Sequence, residues 1–275
     1  IAYAFTITIE GPEMEVSCNS TPVADDDLTP STADCTDFGC HDVSSGMQEY
    51  TFTITNSGPC PLILNGTPLV LIAGANAGDF MVTQQPTTPV AASGGTTTFK
   101  IKFDPTATGL RSATVIIANN DSDENLYNFS IQGRGNDLTA AIAVVETSGT
   151  PNDGTICAGA SADLTASPTG GTGPFTYAWS GGLPASAGPH MVSPGGTTSY
   201  TVTITDANGC TATTSQTITV NPVPACSITT FSTTVCPNSI GNSYDAPAGM
   251  DAYSWSILGN GTITSANTTS QSLEV

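Results

Sequence analysis

The chain has 275 residues, which is enough for two or three domains that each bury a core of their own. Its 4 Lys and Arg residues stand against 23 Asp and Glu residues, so the formal net charge is -19. This imbalance excludes nucleic-acid binding and electrostatic attraction to anionic membranes, because both need clustered basic side chains. It favours high solubility and the binding of divalent cations.

Eight cysteines lack the CxxC spacing of zinc and thioredoxin-type sites. Interpreted as disulfides, they indicate an oxidising compartment, so we expect a secreted or cell-surface protein. No apolar stretch has the length of a membrane span, and no charged region of a signal peptide precedes Ile1. A targeting signal would therefore lie outside this sequence.

The first predicted element is a strand that occurs twice. Residues 2–11 (AYAFTITIEG) align without a gap on residues 126–135 (LYNFSIQGRG). Apolar Tyr3, Phe5, Ile7 and Ile9 alternate with other residues, as in a strand that closes a β-domain. We expect residues 1–11 to be the closing strand of a preceding repeat or a strand donated to a neighbour.

Residues 12–135 are predicted to form the first complete domain. The runs YTFTIT, TFKIKF and ATVIIA alternate between apolar and polar residues and are bounded by Gly, Pro and Asn, which is typical of an antiparallel sandwich. Its acidic loops offer hard oxygen ligands suited to Ca²⁺, although a solvated turn is the alternative. The candidate ligands are Asp25, Asp26, Asp27, Asp34, Asp37, Asp121, Asp123 and Glu124.

Residues 136–222 are predicted to form a second sandwich, and residues 223–275 a related third one that stops before its closing strands. A Cys followed by a Trp occurs in both, at Cys157 and Trp179 and at Cys236 and Trp255. A Trp packed beside a cystine fills the core of many immunoglobulin-like sandwiches. We therefore expect both Trp side chains to be structural.

The disulfide pairing is predicted most clearly in the second domain, because two cysteines bracket that domain and no other cysteine lies within it. The four cysteines of the first domain allow three pairings, of which one is favoured. The expected pairs are Cys157–Cys210, Cys18–Cys60, Cys35–Cys40 and Cys226–Cys236.

Several motifs carry a family resemblance. In residues 12–135 these are DDDLTPSTAD, TDFG, YTFTITNSG, GDF, FDP and NNDSDEN, and this domain resembles the choice-of-anchor D repeat of the abnormal-spindle and sperm-protein-like group. Residues 136–275, with TGGTGPFTYAWS and TITDANGC, resemble PKD-like and gliding-adhesin-type repeats. These families imply export and roles in adhesion, gliding or fibre formation in large bacterial surface proteins, without catalysis. The first domain departs from its family in its four cysteines.

No catalytic constellation is apparent in the sequence. His41 and His190 are the only histidines, they fall in different predicted domains, and no Gly-x-Ser-x-Gly elbow is present. Paired carboxylates for glycoside hydrolysis cannot be identified from the sequence, because the sequence does not give the distance between two carboxyl groups. We expect no enzyme and no catalytic residues, with Ca²⁺ as the one cofactor to consider.

The sequence predicts an all-β protein of tandem immunoglobulin-like antiparallel sandwiches in an elongated rod. The expected function is structural, in an extracellular bacterial fibre or adhesin whose partners are neighbouring repeats or identical subunits. In one hypothesis, residues 2–10 complement the incomplete third domain of another subunit, because its exposed edges need a strand. In the other, the chain is one window of a giant array. A Ca²⁺-dependent module that binds glycans or another surface ligand is the alternative function.

Overall fold

The computed structural model describes residues 11–222 and three short strands nearer the C-terminus. Those residues contain β-strands and a single short 3-10 helix at Ala77–Asp79. Their sequence favours strands because β-branched Thr, Val and Ile alternate along most of the runs. No helix in the described part of the chain has the length and apolar character needed to cross a membrane.

The first β-sandwich consists of two sheets. One sheet has the order β2-β1-β4-β7-β6 and the other the order β3-β9-β8-β5. Most neighbours are antiparallel, but β3 runs parallel to β9 at one edge. The strands are β1 Met14–Cys18, β2 Thr21–Val23, β3 Asp37–Asp42, β4 Gln48–Asn56, β5 Leu71–Ala73, β6 Phe80–Gln84, β7 Gly95–Phe103, β8 Gly109–Ala118 and β9 Leu126–Asn136.

The core of the first sandwich follows from the period of two along its strands. Alternate residues of β4, β7 and β9 are buried, and their neighbours face outward. Phe52 and Phe99 stack with ring centroids 5.2 Å apart, and Phe129 from the opposite sheet lies 5.7 Å from Phe52. The Phe52–Phe129 pair joins the two sheets through apolar contact.

The second sandwich is smaller and has sheets of order β10-β12-β14 and β11-β16-β15-β13. Val202 and Ile204 of one sheet and Leu164 of the other are fully buried. Its strands are β10 Thr139–Glu146, β11 Thr155–Cys157, β12 Ala162–Thr169, β13 Thr176–Trp179, β14 His190–Val192, β15 Thr198–Thr205 and β16 Thr211–Asn221. Three further strands, β17 Thr229–Thr230, β18 Ser243–Asp245 and β19 Ser272–Glu274, pair with one another in antiparallel fashion.

The predicted all-β class and the tandem sandwiches are confirmed. The alternating runs YTFTIT, TFKIKF and ATVIIA, at residues 50–55, 98–103 and 113–118, all fall within strands. Residues 126–135 fall within β9, the last strand of the first sandwich. The proposed donor residues Tyr3, Phe5, Ile7 and Ile9, the pair Cys226–Cys236 and Trp255 lie outside the described residues.

The disulfides differ from the expected pairs. Cys18 at the end of β1 is bonded to Cys35, which is buried in the loop before β3, with the Cα atoms 5.9 Å apart. Cys40 of β3 is bonded to Cys210, which lies just before β16, with the Cα atoms 5.5 Å apart. The second disulfide therefore joins the two sandwiches. The predictions Cys18–Cys60, Cys35–Cys40 and Cys157–Cys210 are wrong.

Strand register explains why the prediction for the second domain fails. Cys157 pairs with Asn221 at the far end of β16, whereas Cys210 precedes the first residue of that strand. Eleven strand residues at about 3.3 Å each separate the two cysteines by roughly 35 Å, far beyond the reach of a disulfide. Trp179 is half-buried in the second core but has no cystine beside it, and its indole N–H donates to Ser186 O at 2.9 Å.

Candidate functional site

The turn between β8 and β9 is built around a buried asparagine. Asn119 is 1% exposed, and its side-chain amide donates to Glu124 O at 2.8 Å and Ile117 O at 3.2 Å. Its Oδ1 accepts the backbone N–H of Asp121 at 2.7 Å. These bonds fold residues 119–124 tightly and turn the Asp121 carboxylate inward, toward the start of β1.

Three carboxylates meet at this place. One carboxylate oxygen each from Glu13, Asp121 and Asp123 lies within 4.8 Å of the other two, and we call this group the carboxylate cluster. Asp121 is buried and accepts the Met14 backbone N–H at 2.8 Å, whereas Glu13 and Asp123 are exposed. In the part of the chain that the structure describes, this is the one group of three such side chains placed closely enough to share a cation.

Glu124 adds a fourth carboxyl group beside the cluster. The residue as a whole is half-buried, but its Oε2 is fully buried and has no hydrogen-bond partner among the described residues. Burial raises the pKa of Glu124 to about 7, and the nearby charges of Asp121, Asp25, Glu13 and Asp123 add to the shift. An unsatisfied carboxylate oxygen in this position is costly unless a proton or a cation neutralises it.

The pKa values of Asp121 and Glu13 change in the same direction as that of Glu124. Burial raises the pKa of Asp121, and its hydrogen bond and charge repulsion with Asp123 contribute further. The pKa of Glu13 is also raised, first by desolvation and then by Asp121, Asp123 and Glu15. The site therefore favours bound positive charge, in the form of protons or a metal ion.

Oxygen ligands of this kind fit Ca²⁺. The ion takes six to eight oxygens from carboxylates, carbonyls and water, and it tolerates irregular geometry. Glu13, Asp121 and Asp123 would supply ligands directly, with water completing the shell. The residues present fit that ion.

The structure divides the predicted ligands into two sets. It brings Asp121 and Asp123 together with Glu13. Glu13 was not among the predicted ligands, because it lies 108 positions from Asp121 in the chain. No local pattern marks Glu13. The other set consists of Asp25, Asp26, Asp27, Asp34 and Asp37, which do not form a group of three carboxylates within the described residues.

Those five aspartates instead stabilise loops by accepting hydrogen bonds. Asp25 and Asp26 receive the backbone N–H and the side-chain amide of Asn128. Asp34 receives the N–H and hydroxyl of Thr36, an arrangement typical of Asx turns. Asp27 accepts the backbone N–H of Thr29, and Asp37 accepts the backbone N–H of Gly39.

The two histidines lie in separate sandwiches. His41 Nε2 is 2.9 Å from Phe38 O. His190 is buried, with its Nε2 3.0 Å from Ser186 O and 3.5 Å from Ser186 Oγ. Among the described residues, no carboxylate hydrogen-bonds to either ring in the way that orients the base of a catalytic triad.

Comparison with known families places the first sandwich among immunoglobulin-like domains. A family model described as the HYDIN/CFA65/VesB-like Ig-like domain matches residues 31–134, which is less than half of the chain. No curated protein matches the chain. The finer repeat types, choice-of-anchor D and PKD-like, stay predictions.

Several solved structures are similar to part of this chain. A protein of unknown function from Porphyromonas gingivalis W83 is 20% identical, with a TM-score of 0.33 over 46% of this chain and 47% of its own. A C-terminal fragment of intimin, in complex with the Tir intimin-binding domain, is 16% identical, with a TM-score of 0.30 over 70% and 63%. The secreted serine protease VesC from Vibrio cholerae is 14% identical, with a TM-score of 0.31 over 67% and 45%. This chain thus spans less than two thirds of each, and none of the three assigns it a function.

The carboxyl group of Glu124 makes stability depend on pH. Its pKa is about 7 in the fold and 4.5 ordinarily, so the fold loses stability as the pH rises from about 4.5 to about 7. We expect Glu124→Gln to increase the free energy of unfolding at pH 8 by about 1 kcal/mol or more, and to change it little at pH 4. Urea denaturation at both pH values in the presence of EDTA measures the effect.

Asp163→Asn is the matched control, because it removes one carboxylate from β12 of the second sandwich. It should not reproduce this pH-dependent gain. Equal effects of Glu124→Gln at pH 4 and pH 8 would contradict the interpretation.

Proposed function

We propose that this chain is a non-catalytic structural segment of an extracellular or cell-surface protein of the fibre or adhesin class, one that resists tension. The observation that carries the proposal is the Cys40–Cys210 disulfide, which spans 170 positions of sequence and joins the two sandwiches. The disulfides also favour an oxidising compartment, where such bonds persist.

The disulfide changes the path that a pulling force takes through the chain. Tension applied to segments on either side of Cys40 and Cys210 passes through the sulfur–sulfur bond, because that is the shortest covalent route. Strands β4 to β15 lie inside the closed loop. Most of both sandwiches is therefore shielded from extension even if their strands separate.

The peptide connection between the sandwiches is short and well held. Only Asp137 and Leu138 separate β9 from β10. Leu138 is 3% exposed and donates its backbone N–H to Asn136 Oδ1 at 3.0 Å, while Asp137 Oδ1 accepts from Gly171 N at 2.9 Å. Two covalent connections, the linker and the disulfide, restrict the swivelling that a single connection would allow.

Single-molecule force spectroscopy tests this function. When the oxidised chain is pulled from its ends, the residues between Cys40 and Cys210 should stay unextended. Removing the disulfide with Cys40→Ser and Cys210→Ser should increase the released contour length by about 600 Å, at ~3.5 Å per residue. The measured quantity is the total contour-length gain.

Cys18→Ser with Cys35→Ser is the matched control, because that disulfide closes a loop of only 17 positions inside one sandwich. Its removal should add only about 60 Å at ~3.5 Å per residue. Equal contour lengths for the oxidised chain and the Cys40→Ser/Cys210→Ser variant would overturn the proposed shielding.

Ca²⁺ is the cofactor that we propose for this segment, at the carboxylate cluster. The buried Oε2 of Glu124 and the convergent oxygens of Glu13, Asp121 and Asp123 support it. A bound ion would fix the start of β1 to the β8–β9 turn. If the cluster binds Ca²⁺, saturation at a hundred times the dissociation constant should stabilise the fold by about 2.7 kcal/mol.

Thermal unfolding with added Ca²⁺ after EDTA treatment measures this stabilisation. Glu13→Gln with Asp123→Asn should abolish the increase in Tm, since both side chains are exposed ligands whose replacement leaves the core intact. Asp163→Asn should retain it. A Ca²⁺-dependent increase that survives in the double variant would show that the ion binds elsewhere.

Two finer hypotheses concern partners. In the first, residues 2–10 of one subunit complete a sandwich of another identical subunit. In the second, the chain is part of a longer array, and its partners are the neighbouring repeats of the same polypeptide. Deleting residues 1–11 should abolish polymers if complementation operates, and unchanged polymers would count against it. Binding to a glycan array that is lost with EDTA would favour the alternative of a Ca²⁺-dependent adhesin module.

A further inference from the structure

The four basic side chains of this acidic protein are not all paired. Lys100 contacts Glu49, Lys102 contacts Asp104, and Arg111 contacts the buried Asp79. Arg134 is the exception, because no carboxylate oxygen of the described residues lies within 4.0 Å of its side-chain nitrogens. Its side chain also has no hydrogen-bond partner within that part of the chain. Its guanidinium donors are thus available to a ligand.

Arg134 lies at the junction of the two sandwiches. On β9 it is in register with Cys40 of β3 and Leu110 of β8, so it lies beside the disulfide that crosses the junction. Arg134 and Asn208 together line two cavities, of about 200 Å³ and about 300 Å³. Because Asn208 belongs to the β15–β16 turn, each cavity has walls from both sandwiches.

Polar groups surround the guanidinium in these cavities. Thr108, Thr172 and Asn208 contribute side chains that can donate or accept hydrogen bonds. Three aspartates also line the cavities, and they are held in place by backbone amides: Asp37 by Gly39, Asp137 by Gly171, and Asp206 by Thr172 and Cys210.

This combination selects a particular ligand chemistry. A planar guanidinium binds a carboxylate through two parallel hydrogen bonds. The aspartates would repel a polyanion such as nucleic acid, but their remaining lone pairs can accept hydrogen bonds from hydroxyl groups. A ligand with one carboxylate and several hydroxyls satisfies both requirements.

From this geometry we propose that the junction cavities around Arg134 bind an acidic sugar, in which a single carboxylate pairs with Arg134 and the hydroxyls bind the aspartates and Asn208. Uronic acids and sialic acids share this chemistry. The site is separate from the carboxylate cluster, and it shares the Cys40–Cys210 disulfide with the proposed resistance to tension. It becomes complete only when the disulfide and the linker hold the two sandwiches together.

Amide chemical shifts of the full-length, oxidised, ¹⁵N-labelled chain provide the test. Sodium glucuronate and N-acetylneuraminate are titrated separately to distinguish the two sources of the carboxylate, and glucose and acetate serve as controls. We expect saturable shifts at Gly133 and Gly209 with at least one acidic sugar and a Kd of about 1 mM. Glucose and acetate should each bind at least ten times more weakly.

Single substitutions test whether the ligand binds at the proposed site. Arg134→Gln should weaken binding of the acidic sugar at least tenfold, while Lys100→Gln, which removes the same charge from β7, should leave it unchanged. Asn208→Ala should weaken it severalfold, because that side chain belongs to the other wall of the site. Unchanged circular dichroism of each variant verifies the fold.

The absence of saturable binding by both acidic sugars would overturn the proposal. Equal affinity for acetate, or undiminished binding in Arg134→Gln, would overturn it as well. None of these results would change the contour lengths in force spectroscopy, so failure of this site and failure of the structural function are distinguishable.

Discussion

The Cys40–Cys210 disulfide is the constraint on which the relation between the sandwiches depends. It joins the edge strand β3 of the first sandwich to the turn before β16 of the second, and the short linker at Asp137 and Leu138 makes the other connection. Each sandwich has an apolar core of its own and does not need the other to bury it. The covalent bond therefore determines how the two are held together rather than whether each can fold.

A second constraint is the charge of the chain. With a net charge of -19, carboxylates must be dispersed, hydrogen-bonded or neutralised. Asp34 and Asp206 illustrate the common solution, because nearby N–H groups bind their oxygens, and such bonds lower the pKa of Asp206 even though its partial burial acts to raise it. The carboxylate cluster is different. The pKa values of Glu13 and Asp121, and of Glu124 beside them, are raised, because these carboxyl groups lie close to one another and are partly desolvated.

These two constraints explain why the proposed sites lie where they do. The carboxylate cluster fixes one end of the first sandwich, where the chain enters β1. Arg134 lies near the other end of β9, beside the disulfide and against the second sandwich. The proposed cation site and the proposed acidic-sugar site thus lie near opposite ends of β9.

The sequence by itself determined the all-β class and the alternating strands, because the period of two and the turn residues act over a few neighbouring positions. It also identified Asp121 and Asp123 as candidate ligands. Tertiary structure alone decided that Glu13 joins them, that Cys210 bonds to Cys40 across two sandwiches and that the Arg134 side chain has no carboxylate partner among the described residues. Spacing along the chain suggested Cys157 as the disulfide partner of Cys210, yet strand register places those two residues at opposite ends of β16. Pairings of this kind depend on how sheets and domains pack, over separations that local patterns do not encode.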